Sequence, residues 1–375
     1  MSSPLGSSSM YLQRRTGLPA IKVEEIVDIA RAAGRVIMDV YRTDPETWDS
    51  RSKTDDTPVT KADIMADKLI RTGLLNAYPD IPIISEESEQ LPFEERRDYE
   101  YCWVVDPLDG TKVRKPRPDV VGADCVSHMD TVEFIRRTGD FAVMIGLSVH
   151  GKAVLGVVHA PAQDTPKTYY AVAEKGAFVL PGGEEICGDG LAGSERISAR
   201  AFGVQDAGLR LAISSTRPPK SFIAACKDPV TCSIGSAALK AVAVADGTAD
   251  LFPCLYPTSE WDTCAPQIIV EEAGGSVFPY HGSGEGGMAD VAELLRSRDV
   301  AAIAAAATAG AAGAASTNVG GGAGAASAAG DAPSSGDMGE ELPPSSIVNN
   351  PGILSYNKAD LSSPSCLFLG RCSTH

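Results

Sequence analysis

The sequence carries no surplus of positive charge. Its 33 Lys and Arg stand against 49 Asp and Glu, giving a formal net charge of −16 and a pI near 4.8. That balance argues against nucleic acid or an anionic membrane surface as a partner. A polyanionic ligand would need metal ions or local basic groups to reverse the field where it binds. Signals for cysteine pairing are missing too. The nine cysteines include no C-x-x-C and no paired spacing, which fits thiols in a reducing compartment and argues against zinc. The expected location is cytoplasmic. Chloroplast or mitochondrion is the alternative, because Met1–Ala20 has Ser and two Arg with no acid, a composition shared with transit peptides. No apolar run reaches the roughly 20 residues that span a bilayer, and the Ala-rich stretch Val300–Ala312 is too short and too weakly hydrophobic.

What is present is enough chain, at 375 residues, for roughly two domains. Residues 1–20 read as a disordered terminus, and 21–180 as an α+β domain. Apolar residues from Ile21 to Val40 recur at helical spacing. Thr60-Lys61-Ala62-Asp63 reads as a helix-starting box, with Thr60 as cap and an acid three residues on. The helix behind it is expected to run to about Asn76, with Ile64 and Leu75 among its apolar surface. Ile81–Ile84 reads as a buried strand, Gln90–Glu100 as charged and exposed. Phe141–Leu147, Ala153–Ala160, Thr168–Ala173 and Ala177–Leu180 read as hairpin strands of a largely antiparallel sheet. Residues 194–280 with 347–375 alternate strands and helices, an α/β layer. Residues 281–346, rich in Ala, Gly and Ser, cannot bury enough apolar surface to offset ordering and read as a low-complexity insertion, with one short helix possible over Met288–Ala307.

The chemistry concentrates in Asp106-Pro107-Leu108-Asp109-Gly110-Thr111-Lys112, where an apolar strand from Cys102 to Val105 is expected to enter a stiff turn. Pro107 fixes the backbone between two acids, and Gly110 admits conformations closed to other residues. Two carboxylates on such a turn, with N–H groups at Gly110 and Thr111, can hold hard cations and a phosphate together. Other acids stand at element boundaries: Asp63 in the helix box, Glu86 after a strand, Asp262 at a helix start. Each has a structural reading as well, as capping acid, surface residue, or favourable charge at a helix dipole.

As an ordered set these segments resemble the lithium-sensitive, magnesium-dependent phosphomonoesterases of the inositol monophosphatase superfamily, with bisphosphate nucleotidases of CysQ type as the nearest likeness. The motifs are Thr57–Asp63, Ser85-Glu86-Glu87, Asp106–Lys112, Glu133-Phe134-Ile135, Gly156–Pro161, Ser233–Ser236 and Trp261-Asp262-Thr263. The resemblance implies an α/β fold layered αβαβα around two sheets. It implies two or three Mg²⁺ ions. Glu86, Asp106 and the Leu108 carbonyl would hold one, and Asp106, Asp109 and Asp262 a second. Asp63, Thr111 and Glu86 would be the catalytic set, with Thr111 bonded to Asp63 and orienting or deprotonating water. Gly110, Thr111, Ser233, Ser236, Lys240 and Asp262 would contact substrate.

The implied reaction is hydrolysis of 3′-phosphoadenosine 5′-phosphate, a small phosphorylated substrate, to AMP and phosphate. An inositol phosphate phosphatase, or a catalytically silent metal- or nucleotide-binding module, are the alternatives. Oligomeric state is not read from the sequence. Two departures stand out: Val113–Val132 separates Asp-Gly-Thr-Lys from Glu-Phe-Ile, and residues 281–346 follow Asp262, the last of the implied metal ligands. The first is expected to be a neutral loop or mistranslated non-coding sequence, with a lid as the alternative.

Overall fold

The structure, a computed structural model, describes residues 10–12, 18–48, 51–52, 58–110, 133–182, 191–202, 206–214, 218–255, 258–280 and 365–372. Thr111, the Val113–Val132 insertion, the 281–346 insertion and the expected helix at Met288–Ala307 therefore lie outside the described residues.

Strands β1 (Tyr11–Leu12) and β2 (Ile21–Lys22) pair antiparallel ahead of helix α1 (Val23–Tyr41). This corrects two expectations. The helix starts after Ile21, and part of the supposed disordered terminus is packed, with Leu12 and Leu18 buried in the cluster under α1. A second small pair, β3 (Arg51–Ser52) and β4 (Pro58–Val59), leads into α2 (Lys61–Ala77). On α2, Ile64 and Leu75 prove to be exposed rather than part of its apolar face. Then come β5 (Ile83–Ser85), the one-turn α3 (Phe93–Arg96), β6 (Tyr101–Asp109) and, beyond the undescribed segment, α4 (Glu133–Arg136). Gln90–Glu100 is not uniformly exposed: Arg96 is buried and pairs with Glu260.

Four long strands follow: β7 (Ala142–Val149), β8 (Lys152–Ala160), β9 (Lys167–Val172) and β10 (Gly176–Pro181). The β7–β8 turn has positive φ at both His150 and Gly151, the backbone twist that two-residue hairpins favour. With β11 (Glu195–Arg196) at the far edge, the first sheet has the order β11-β10-β9-β8-β7-β6-β5, antiparallel except for β5 beside β6. Next are β12 (Ala201–Phe202), β13 (Arg210–Ile213), α5 (Lys220–Ala225), β14 (Val230–Ser233), α6 (Ala237–Ala245), β15 (Leu251–Cys254), α7 (Glu260–Glu272) and β16 (Ser276–Tyr280). After residue 364 come β17 (Ser365–Leu369) and β18 (Arg371–Cys372). The second sheet runs β14-β13-β15-β17-β16.

Alternation along the strands builds the layers. Trp103, Val105, Ile145 and Leu147 share a core with α1 and α2, while Cys102, Val104 and Met144 join α6 and α7 on the opposite face. In the second sheet Ala212, Phe252 and Phe368 face α6 and α7; Leu211, Leu251, Leu367 and Leu369 cluster with Phe222 of α5. The result is helix, sheet, helix, sheet, helix, the αβαβα arrangement. Helix α7 lies directly on the first sheet because Gly146 and Gly156 have no Cβ; one at either position would collide with Cys264 or Ala265. Among the described residues Cys102, Cys226, Cys232 and Cys264 are free thiols. No helix among the described residues is long and apolar enough to cross a membrane.

Candidate active site

The expected turn at Asp106–Asp109 is a bulged strand end. Asp106 pairs with Met144 and Asp109 with Ala142, so Pro107 and Leu108 together oppose one residue, Val143. Pro107 cannot donate to the ladder, and a bulge is where a strand tolerates that loss and re-aims its side chains. Asp106 is fully buried, and its Oδ1 accepts the Leu108 N–H at 3.0 Å. Leu108 itself is buried in the bulge. Gly110 follows with φ +124°, and a Cβ there would press on Phe141. Its carbonyl accepts the Phe134 N–H at 3.3 Å. Phe134 in turn packs tilted against Tyr41 and Trp48 and edge-on to Phe141, which anchors the chain where it returns.

Parallel pairing of β5 with β6 brings Glu86 alongside this end, where the Glu86 N–H donates to the Val105 carbonyl at 3.1 Å. On α2, Asp63 completes the capping box. Its Oδ2 accepts the Thr60 N–H at 2.8 Å and the Thr60 hydroxyl at 2.6 Å, with the side chain buried. One turn on, Asp67 is buried as well and accepts the Ser85 hydroxyl at 2.5 Å. That acid was not singled out from the sequence, although its spacing from Asp63 is one helical turn.

The second half contributes helix starts. Asp109 Oδ2 accepts the Ser236 hydroxyl at 2.5 Å and the Ala238 N–H at 2.8 Å, so a first-sheet carboxylate sits on the first turn of α6. Ser236 is the N-cap, and its Oγ also accepts the Leu239 N–H at 3.2 Å. Asp262 lies in the first turn of α7 and its Oδ2 accepts the Ser259 N–H at 2.6 Å. Ser233 is not in a turn: it ends strand β14 and is exposed. Lys240 is only 3% exposed, with its ammonium donating to the carbonyls of Gly235 at 2.7 Å and Ile234 at 3.3 Å. Two further acids reach this turn. Asp140 accepts the Gly235 N–H at 2.9 Å, and Glu133 packs against Gly235. Glu133 carries a sequence signal in Glu-Phe-Ile; Asp140 carries none.

The family profile described as "Inositol monophosphatase family" matches residues 22–113 and 130–319. The chain belongs to the inositol monophosphatase family. The break between the two matched stretches falls within Val113–Val132. Among curated relatives, 3'(2'),5'-bisphosphate nucleotidase CysQ of Shigella flexneri is 36% identical over 264 residues, covering 69% of this chain and 91% of that protein. The protein of the same name from Escherichia coli strain K12 is 35% identical over the same shares. Among solved structures, CysQ from Bacteroides thetaiotaomicron, a bacterial member of this family, superposes with a TM-score of 0.53. It is 29% identical and covers 70% of this chain and 89% of its own.

Members of this family are metal-dependent phosphatases. The donor set is right in kind: Glu86, Asp106 and Asp109 stand at the adjoining ends of β5 and β6 and Asp262 in the first turn of α7, all carboxylates with no thiolate or imidazole among them, and such a set would suit a hard divalent cation. As placed, no three acidic, His or Cys side chains among the described residues stand close enough to hold a metal ion. Asp109 Oδ2 is committed to Ser236 and Ala238, which leaves its Oδ1 for a cation. The fit is one of donor chemistry and backbone placement.

Proposed function

We propose that this chain is a divalent-cation-dependent phosphomonoesterase that removes the 3′-phosphate of 3′-phosphoadenosine 5′-phosphate, giving AMP and phosphate. The observation that carries the reading is the bulged end of β6, which presents Asp106 and Asp109 beside Glu86. The substrate follows from likeness to curated 3'(2'),5'-bisphosphate nucleotidases.

Glu86, Asp106 and the Leu108 carbonyl would hold one Mg²⁺, and Asp106, Asp109 and Asp262 a second. Bound cations supply positive charge to the phosphoryl oxygens and acidify water at neutral pH. The chain's own groups do the rest. Asp63, locked by the two Thr60 hydrogen bonds, is the acid that would hold the Thr111 hydroxyl. Gly110, at positive φ and without a side chain, leaves the backbone open to a phosphate oxygen. The acids with their cations would grip one phosphate and would not distinguish a nucleotide from an inositol ring. That choice falls to the second half, where Ser233 is exposed at the end of β14.

Phosphate release from a panel of bisphosphate nucleotides and inositol phosphates, with and without Mg²⁺, tests the reading. The expected result is Mg²⁺-dependent release, fastest from 3′-phosphoadenosine 5′-phosphate. Faster release from inositol monophosphates would make the chain an inositol phosphatase instead. No release from any compound by folded protein would leave a silent binding module.

A further inference from the structure

The turn between β14 and α6, Ile234 to Ser236, is gripped from both halves of the molecule. From the first half, Asp140 accepts the Gly235 N–H at 2.9 Å, Glu133 fills the space where a Gly235 Cβ would stand, and Asp109 accepts the Ser236 hydroxyl at 2.5 Å. From the second, Lys240 reaches back to the carbonyls of Gly235 and Ile234, at 2.7 and 3.3 Å, with its ammonium 5.3 Å from the centre of the Phe252 ring. Burial pulls the Lys240 ammonium below its usual range, against the pull of the Asp109, Glu133 and Asp140 carboxylates nearby. A buried cation spending its donors on two backbone carbonyls is placed to hold the chain, not to greet a ligand.

We infer that Lys240 is a positioning residue: by tying down Ile234 and Gly235 it sets Ser236, and through Ser236 the direction of the Asp109 carboxylate. The resemblance implied instead that Lys240 contacts substrate, and the two roles separate cleanly when no substrate is present. A residue that orients a metal-ligating carboxylate changes metal affinity by about 10–100-fold when lost. A residue that touches only the nucleotide leaves metal affinity alone. This inference rests on the proposed function for Asp109 as a cation ligand and for the choice of substrates.

The test is Mn²⁺ alone, titrated by electron paramagnetic resonance against the full chain, Lys240→Met, Ser236→Ala and the double variant. Lys240→Met is expected to weaken Mn²⁺ binding about tenfold, Ser236→Ala similarly. The double variant should be little worse than either, because both act on one carboxylate. In turnover, Lys240→Met should lower kcat for 3′-phosphoadenosine 5′-phosphate and for p-nitrophenyl phosphate alike, leaving the nucleotide KM nearly unchanged. Unaltered Mn²⁺ affinity with a raised nucleotide KM would overturn the inference and return Lys240 to the substrate. If Lys240→Met does not fold, Ser236→Ala decides: unchanged Mn²⁺ affinity there sinks the proposal, as does a wild-type chain that takes up no Mn²⁺. A chain whose Mn²⁺ response behaves as expected but which releases no phosphate from the nucleotide would fail the functional reading and leave this one standing.

Discussion

The two ends of α7 carry acids and treat them in opposite ways. At its start Asp262 takes the Ser259 N–H, and burial raises the Glu260 carboxyl but the buried Arg96 guanidinium beside it opposes that rise. Both lie where exposed amide dipoles favour negative charge. At its end Glu271 has the Gln267 amide at 2.9 Å, and burial pushes its carboxyl up to about 7 against that bond, with neighbouring Glu272 adding to the rise. There the helix dipole opposes a carboxylate. Residue type alone therefore says little about an acid's task. Asp262 at the start of α7 is suited to hold charge for a cation, whereas Glu271 at the end favours a proton.

The same kind of substitution at each end sharpens the contrast. Asp262→Asn is expected to cut kcat/KM for the nucleotide at saturating Mg²⁺ by on the order of 10³-fold, about 4 kcal/mol of transition-state stabilisation. A near wild-type rate would strike Asp262 from the cation set. Next in size is Arg96→Met, which leaves Glu260 buried without its guanidinium. Urea unfolding should show a loss of about 3 kcal/mol, as for other broken buried pairs; a loss under about 1 kcal/mol would mean the pair contributes no more than a surface one. The smallest effect belongs to Glu271→Gln, and it depends on pH. The folded carboxyl titrates near about 7 and the unfolded one near 4.5, so the folded state holds more protons between those values. Wild-type stability therefore falls as pH rises through that window and the loss is complete above it. Gln cannot ionise, so the variant should gain about 1–2 kcal/mol at about pH 8 and nothing at about pH 4. A pH-independent difference would remove the contrast between the helix ends.

What the sequence makes legible is what short-range pattern encodes. The capping box at Thr60–Asp63, the hairpin at His150-Gly151, the helix end before Gly274-Gly275 and the acids of Asp-Pro-Leu-Asp-Gly all stand as local signals. The bulge hides within that last signal, because Pro and Gly read as a turn until the partner strand shows two residues opposing one. Long-range partnerships leave no trace in the pattern. Arg96 and Glu260 are 164 positions apart, Asp140 and Gly235 are 95 apart, and a charged residue such as Arg96 reads as solvated until its partner is known. For Lys240 the resemblance implies a substrate contact, whereas the direction of its ammonium, inward to the turn, shows only in the fold.

The pairing of Tyr280 with Ser365 has a consequence for how the molecule assembles. Strand β17 is not an edge: it lies between β15 and β16, so the outer strand β16 joins the second sheet only through it. The sheet thus stays divided until the chain has travelled through residues 281–364 and come back to within one strand spacing of where it left. Loop closure grows only with the logarithm of length, about 0.6 kcal/mol per doubling, so this detour weighs little on the finished fold. It weighs on the clock instead. Contacts of high sequence separation form late, which makes the joining of β15, β17 and β16 the slow step by topology, while the hairpins β7 to β10 can form from neighbours alone.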